Sequence, residues 1–90
     1  MAVEVRIPTI LRTYTGGAKA VDGNGATLAE VIQDVESGHP GISDRLIEGT
    51  DLRRFINVYV NDEDVRFLDG LDTVVTDGDV VVVLPAVAGG

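Results

Sequence analysis

The sequence predicts a small α+β domain, a mixed sheet of about five strands with one main helix packed on one face. Three observations carry this. Only one segment, Leu28 to Val35, has apolar residues at helical spacing, and one amphipathic helix covers one face of a sheet. At the start of the chain Val3, Val5 and Ile7 alternate with Glu4 and Arg6, the period of a strand with a single buried face. Near its end Val80-Val81-Val82-Val83-Leu84 runs without alternation, which suits a central strand, often in parallel pairing.

The elements follow in order. Pro8 closes the first strand, because proline cannot donate to a sheet ladder. Gly16-Gly17 marks a turn, and Ala18 to Val21 reads as a second, weaker strand returning as a hairpin. Asp22-Gly23-Asn24-Gly25 is a dense turn signal. Thr27 opens the helix, with Glu30 three residues on to complete a capping box. Leu28, Val31, Ile32 and Val35 then form a single apolar stripe. Gly38 is the expected left-handed stop, and Pro40 prevents continuation. Ile42, Leu46 and Ile47 suit one short helical turn under the sheet, followed by a polar loop. Phe55 to Val60 is β-branched and aromatic enough for a strand, which Asn61-Asp62-Glu63-Asp64 turns into another short strand, Val65 to Phe67. Thr76-Asp77-Gly78-Asp79 is a tight turn into the valine strand, which Pro85 ends. The order is strand, strand, helix, strand, strand, strand. With the first and last strands parallel at the centre and the helix crossing one face, this is the β-grasp (ubiquitin-like) arrangement. Residues 1–84 form the domain and residues 85–90 a flexible tail.

Ninety residues make one domain, and 44% hydrophobic against 24% charged residues is a globular balance. Fifteen acidic and seven basic residues give a net charge of −8, which argues against nucleic acid and against an anionic membrane surface. The acid-rich turns Asp62, Glu63, Asp64, Asp69, Asp72, Asp77 and Asp79 carry solubility charge and suit a basic protein partner. The absence of cysteine excludes disulfides, thiolate zinc sites and a cysteine nucleophile. No basic stretch leads into an apolar run at the start, and the longest uncharged apolar run, Val80 to Ala88, is far below the roughly 20 residues of a membrane span. A cytoplasmic protein is expected.

Enzyme motifs fail one by one. Asp22-Gly23-Asn24-Gly25 begins like a calcium loop, but Thr27 stands where glycine is required and Gln33 where a bidentate glutamate is required. The same glycines fail as a dinucleotide loop, since Leu28 occupies the third glycine position. His39, the only histidine, follows a helix end beside Pro40 and suits a surface loop. Ser37 and Ser43 lie near it in sequence but on no nucleophile elbow. No catalytic residue, no metal site and no bound cofactor are expected.

The tail is different. Every charged residue lies between positions 4 and 79, and the chain then runs uncharged through Pro85, Ala86, Val87, Ala88, Gly89 and Gly90. Six residues reach about 20 Å when extended. The two glycines lack a Cβ, so the terminal carboxylate can thread a narrow channel in a partner's active site. At pH 7 that carboxylate is an anion able to attack the α-phosphorus of ATP, and the acyl adenylate formed is a good electrophile for sulfur or amine nucleophiles.

The whole chain resembles the small ubiquitin-like sulfur carriers of the MoaD/ThiS family. Asp77-Gly78-Asp79 before the last strand, Pro85 after it and Gly89-Gly90 at the end carry the resemblance. Within the family it is most similar to the CysO-type carriers of cysteine biosynthesis, through Ile7-Pro8-Thr9-Ile10-Leu11-Arg12, Asn57 to Phe67 and Leu84 to Gly90. MoaD-type proteins carry bulky aromatics before the proline, where this chain has Val83-Leu84. The resemblance implies a protein cosubstrate with no catalysis of its own. A ubiquitin-activating-type adenylyltransferase and sulfurtransferase, using ATP, would adenylate Gly90 and convert it to a thiocarboxylate. The thiocarboxylate would attack an activated serine derivative on a pyridoxal-phosphate cysteine synthase, and a metalloprotease would release the cysteine. The alternatives are a MoaD-type small subunit of molybdopterin synthase, a ubiquitin-like modifier joined to lysines, and an inert β-grasp binding module. The expected docking face is the open strand surface beside the tail, with Tyr59, Arg66, Val82 and Leu84, where a slip of one register would exchange Val82 and Leu84 for Val81 and Val83.

Overall fold

The N-terminal alternation becomes strand β1, Val3–Arg6, with Val3 and Val5 buried and Arg6 exposed. These coordinates are a computed structural model that describes residues 2–54 and 56–85. After β1 the chain does not turn back at once. Pro8 heads a 3-10 helix, Thr9–Thr15, ended by Gly16 in the left-handed region (φ 65°). Strand β2 accordingly forms at Ala20–Gly23, not at the Ala18 to Val21 expected from sequence. Ala18 is consumed by the turn: its N–H donates to the Thr15 carbonyl (3.2 Å) and its carbonyl accepts from Thr15 Oγ1 (2.8 Å). β2 pairs antiparallel with β1, Val5 opposite Val21.

Helix α1, Leu28–Gly38, buries the expected stripe of Leu28, Val31, Ile32 and Val35. Thr27 Oγ1 accepts from the Glu30 N–H (3.3 Å), and Glu30 Oε1 accepts from the Ala26 N–H (2.9 Å), one residue before the cap itself. Each bond satisfies a donor that the first helical turn leaves over. The far end differs from expectation. Gly38 is the last helical residue and is not left-handed; His39 caps, its N–H donating to the Val35 and Glu36 carbonyls. Pro40 disfavours helical backbone at His39, so the chain leaves the helix there, and the left-handed glycine is Gly41 (φ 100°).

Helix α2, Ile42–Leu46, buries Ile42 and Leu46 as expected. Ile47 belongs instead to β3, Ile47–Glu48, which pairs with β4, Asp51–Leu52, where a polar loop was expected. Strand β5, Ile56–Val60, buries alternate residues; Phe55, the expected first residue, lies outside the described residues. Asn61 (φ 49°) and Asp62 (φ 72°) are both left-handed, the geometry of a two-residue hairpin turn, so pairing resumes at once in β6, Glu63–Asp64. Val65–Phe67 is therefore a 3-10 turn and not the expected strand, opened by the Asp64 carboxylate accepting the Arg66 N–H (2.9 Å). A further 3-10 turn at Gly70–Asp72 leads to the last strand, β7, Val80–Pro85.

The main sheet has the order β2-β1-β7-β5-β6, with β7 parallel to β1 and antiparallel to β5. Five strands with α1 on one face form the β-grasp arrangement that the element order predicts. Pro85 is the last residue of β7, opposite Ile56, instead of the first beyond it. Val5, Val58 and Val81 of the sheet pack with Leu28 and Val31 of α1 in the buried core. Among the described residues no helix is long and apolar enough to cross a membrane.

Candidate functional site

The core fixes which residues of the valine run face outward. Val81 and Val83 are buried, so Val82 and Leu84 point to the open face, in the register expected from sequence and not the slipped one. Val82 lies between Arg6 on β1 and Tyr59 on β5, and Leu84 lies opposite Asn57. Arg66 reaches back over this edge. Its Nη1 donates to Asn57 Oδ1 (2.6 Å), and its Nη2 donates to the carbonyls of Ile56 (2.6 Å) and Arg53 (3.0 Å). Of the four residues expected on a docking face, Tyr59, Val82 and Leu84 thus share the open face of β5 and β7, and Arg66, on the 3-10 turn Val65–Phe67, joins it through Asn57.

Two grooves meet at Pro85, where β7 ends. One, of about 870 Å³, is lined by Ile10, Tyr14, three arginines (Arg45, Arg53 and Arg54), one acid (Glu48) and Ile56 together with Pro85. The other, of about 470 Å³, runs past Arg6, Pro8, Ile10, Arg12, Lys19 and Leu84. Ile10 belongs to both and is 63% exposed; Leu84 is 45% exposed. A chain continuing beyond Pro85 therefore starts from an apolar patch bordered by basic side chains. Ala86, Val87, Ala88, Gly89 and Gly90 lie outside the described residues.

Ile10 and the arginines around it are absent from the expected docking set. Only the motif Ile7 to Arg12 pointed toward this segment, because the 3-10 helix that carries Ile10 beside β7 leaves no periodic trace. Tyr14 organises the groove floor. Its hydroxyl accepts from Arg45 Nε (2.7 Å), and the Arg45 guanidinium stands 5.8 Å from its ring centroid.

The remaining candidates are structural. Ser37 Oγ donates to the Asp34 carbonyl (2.7 Å), and the Asn24 N–H donates to Asp34 Oδ2 (2.9 Å), tying the glycine turn to α1. Glu36 accepts from the N–H groups of Gly41 and Ser43, which holds its carboxyl below the usual range and fixes the start of α2. Asp79 is lowered likewise by Asn61 Nδ2 (3.0 Å) and the Thr76 N–H (2.9 Å). Among the described residues no group of three histidine or acidic side chains is placed to hold a metal ion. The acid-rich turns at Asp62, Asp77 and Asp79 adjoin the first residue of β7, the end remote from Pro85.

The profile of the ThiS family matches residues 5–90. The sulfur carrier protein CysO of Mycobacterium tuberculosis is 57% identical over 93 residues, a match covering 100% of both chains. The small archaeal modifier protein 3 of Haloferax volcanii is 42% identical, again over 100% of both chains. A chain in the crystal structure of the Amycolatopsis orientalis BexX/CysO complex is 64% identical and superposes with a TM-score of 0.95, covering 99% of this chain and 100% of that one.

Proposed function

The chain belongs to the ThiS family, and from that premise we propose that it is a sulfur carrier whose Gly90 carboxylate is the reacting group. The observation that carries this is the uncharged segment Pro85 to Gly90 with its Gly89-Gly90 pair, which follows on the central strand; Pro85, the strand's last residue, lines grooves with apolar and basic walls. The full-length similarity to a protein named as a sulfur carrier supports it.

The chemistry asks little of the folded domain. A carboxylate oxygen of Gly90 attacks the α-phosphorus of ATP on an activating enzyme, and pyrophosphate leaves. Hydrosulfide then adds to the acyl carbon and AMP leaves, so that the bond from carbon to the phosphate oxygen is exchanged for a carbon–sulfur bond and the product is the thiocarboxylate. The domain binds no cofactor and contributes no catalytic side chain; it docks and aims the tail. Gly89 and Gly90 lack side chains, so Pro85, Ala86, Val87 and Ala88 thread the partner's channel while the carboxylate approaches the nucleotide. Tyr59, Arg66, Val82 and Leu84, with Ile10 beside them, form the docking face. In the cytoplasm the thiocarboxylate sulfur replaces the activated oxygen on the side-chain carbon of a serine derivative at a pyridoxal-phosphate cysteine synthase, forming a carbon–sulfur bond while that oxygen leaves with its activating group. An acyl shift from sulfur to the amine leaves cysteine joined through its amine, and a metalloprotease hydrolyses that amide to release it.

The test is ATP–pyrophosphate exchange by the activating enzyme of the source organism, with the full chain and with a chain lacking Gly89 and Gly90. Exchange with the first and none with the second is expected; exchange with both refutes the proposal. The 42% identity to a small archaeal modifier protein favours a second outcome for the same adenylate, capture by a lysine amine. That outcome yields conjugates of higher mass in place of a thiocarboxylate.

A further inference from the structure

The seven basic residues are spread along the sequence from Arg6 to Arg66, yet folding gathers six of them around the Pro85 end of β7, while Arg6 lies opposite Val82 and shares a pocket with Asp62. Six of the seven line the two grooves that meet at Pro85: Arg6, Arg12, Lys19, Arg45, Arg53 and Arg54. The seventh, Arg66, is bonded to the carbonyls of Arg53 and Ile56 at the same end. Fifteen acidic residues are available to neutralise them. Among the described residues only two cation–carboxylate contacts form, Arg6 with Glu4 (2.7 Å) and Arg53 with Glu48 (3.9 Å). Three of the other four guanidiniums are oriented by neutral acceptors: Arg12 by the Ile7 carbonyl, Arg45 by the Tyr14 hydroxyl, and Arg66 by Asn57. Such bonds fix a guanidinium's direction without cancelling its charge. Meanwhile Asp62, Asp77 and Asp79 gather where β7 begins, six residues and about 17 Å from Pro85.

We propose that the surface of the activating enzyme that receives the tail is acidic, its carboxylates pairing with the basic rim around Pro85. This rests on the carrier function proposed above. An arginine rim matches carboxylates through paired N–H bonds, and the apolar centre at Ile10 and Leu84 gives the contact its dry core. A nucleic acid would present continuous phosphate to a chain of net charge −8, whose remaining surface repels it. The acid-rich turns lie at the other end of β7 and are not themselves the contact.

Lys19 and Arg54 are exposed, and no hydrogen bond or ion pair of either side chain is present among the described residues, so changing them removes charge and little else. The test compares four proteins in ATP–pyrophosphate exchange with the activating enzyme of the source organism: wild type, K19E/R54E, K19Q/R54Q and D62K/D77K. K19E/R54E should raise the KM for the carrier by about tenfold or more at low salt, with kcat unchanged. K19Q/R54Q should fall between, and the gap should narrow as salt rises. D62K/D77K should leave KM within about twofold of wild type, because its charges sit at the remote end. Thermal unfolding of each variant verifies the fold, and K19Q/R54Q decides the matter if the charge reversal unfolds. If wild type supports exchange while K19E/R54E matches its KM, or if D62K/D77K shifts KM equally, the acidic-surface proposal is overturned and the carrier function stands. Saturable binding of the wild type to a single-stranded oligonucleotide at physiological salt, lost in K19E/R54E, overturns it equally. If wild type supports no exchange, the carrier function itself falls, and this inference with it.

Discussion

Truncating the apolar centre of the docking face has a magnitude set by exposure. Fully burying a leucine or isoleucine side chain yields about 1.5–3 kcal/mol. Leu84 is 45% exposed, so docking can still gain about 0.7–1.4 kcal/mol from it, and Leu84→Ala should raise the KM for the carrier about threefold to tenfold. Ile10 is 63% exposed, which gives about 0.9–1.9 kcal/mol and about fivefold to twenty-five-fold for Ile10→Ala. Val74 is 69% exposed but lies at an isolated bridge to Thr27, beside the start of α1 and lining neither groove. Val74→Ala removes a similar kind of surface in a place where docking gains nothing, and should leave KM within about twofold of wild type. The assay is ATP–pyrophosphate exchange with the activating enzyme as carrier concentration is varied, with thermal unfolding recorded alongside. If Leu84→Ala and Ile10→Ala leave KM unchanged, or Val74→Ala raises it as much as they do, the docking face is misplaced.

Further outcomes follow from the local geometry. Gly25→Ala should destabilise the fold by about 1–3 kcal/mol in urea titrations, because a Cβ there would stand 2.6 Å from Glu30 Cβ and 2.7 Å from the Val31 nitrogen, which cannot move without bending α1. Thr27→Ala, which loses the cap on α1, should cost about 1 kcal/mol in the same titration, and no loss would contradict the capping bond. Glu36 and Asp79 accept N–H bonds as carboxylates, so their folded pKa values lie below the unfolded ones. Their contribution is full above the unfolded carboxylate range, about pH 4, and is lost as pH falls through the folded values. Urea midpoints of Glu36→Gln and Asp79→Asn should therefore depend less steeply on acidification than wild type, and parallel profiles would refute that assignment.

The helix was legible because Thr27, Glu30 and the stripe from Leu28 to Val35 are all local signals pointing the same way. The central strand was legible from its valines, and its register became definite once Val81 and Val83 were seen packed in the core. The connection through Thr9–Thr15 was not legible, since two turns of 3-10 helix carry no apolar period. Nor was the hairpin at Asn61-Asp62, where two acceptable left-handed residues in an acidic run hid a two-residue turn and displaced the next strand. The tail was plain in the sequence because it is contiguous. The basic rim was not, because its members come from six stretches of chain between Arg6 and Arg66 and meet only when β1, the 3-10 helix and α2 converge on the end of β7.

The central claim is that Gly90 is activated and takes up sulfur. Intact mass of the full chain after incubation with its activating enzyme, ATP and a sulfide source tests this most directly. The carrier function predicts a gain equal to the replacement of one oxygen atom by sulfur, located in the C-terminal peptide and absent from the chain lacking Gly89 and Gly90. An unchanged mass while ATP is consumed, or the same gain in the truncated chain, would contradict it.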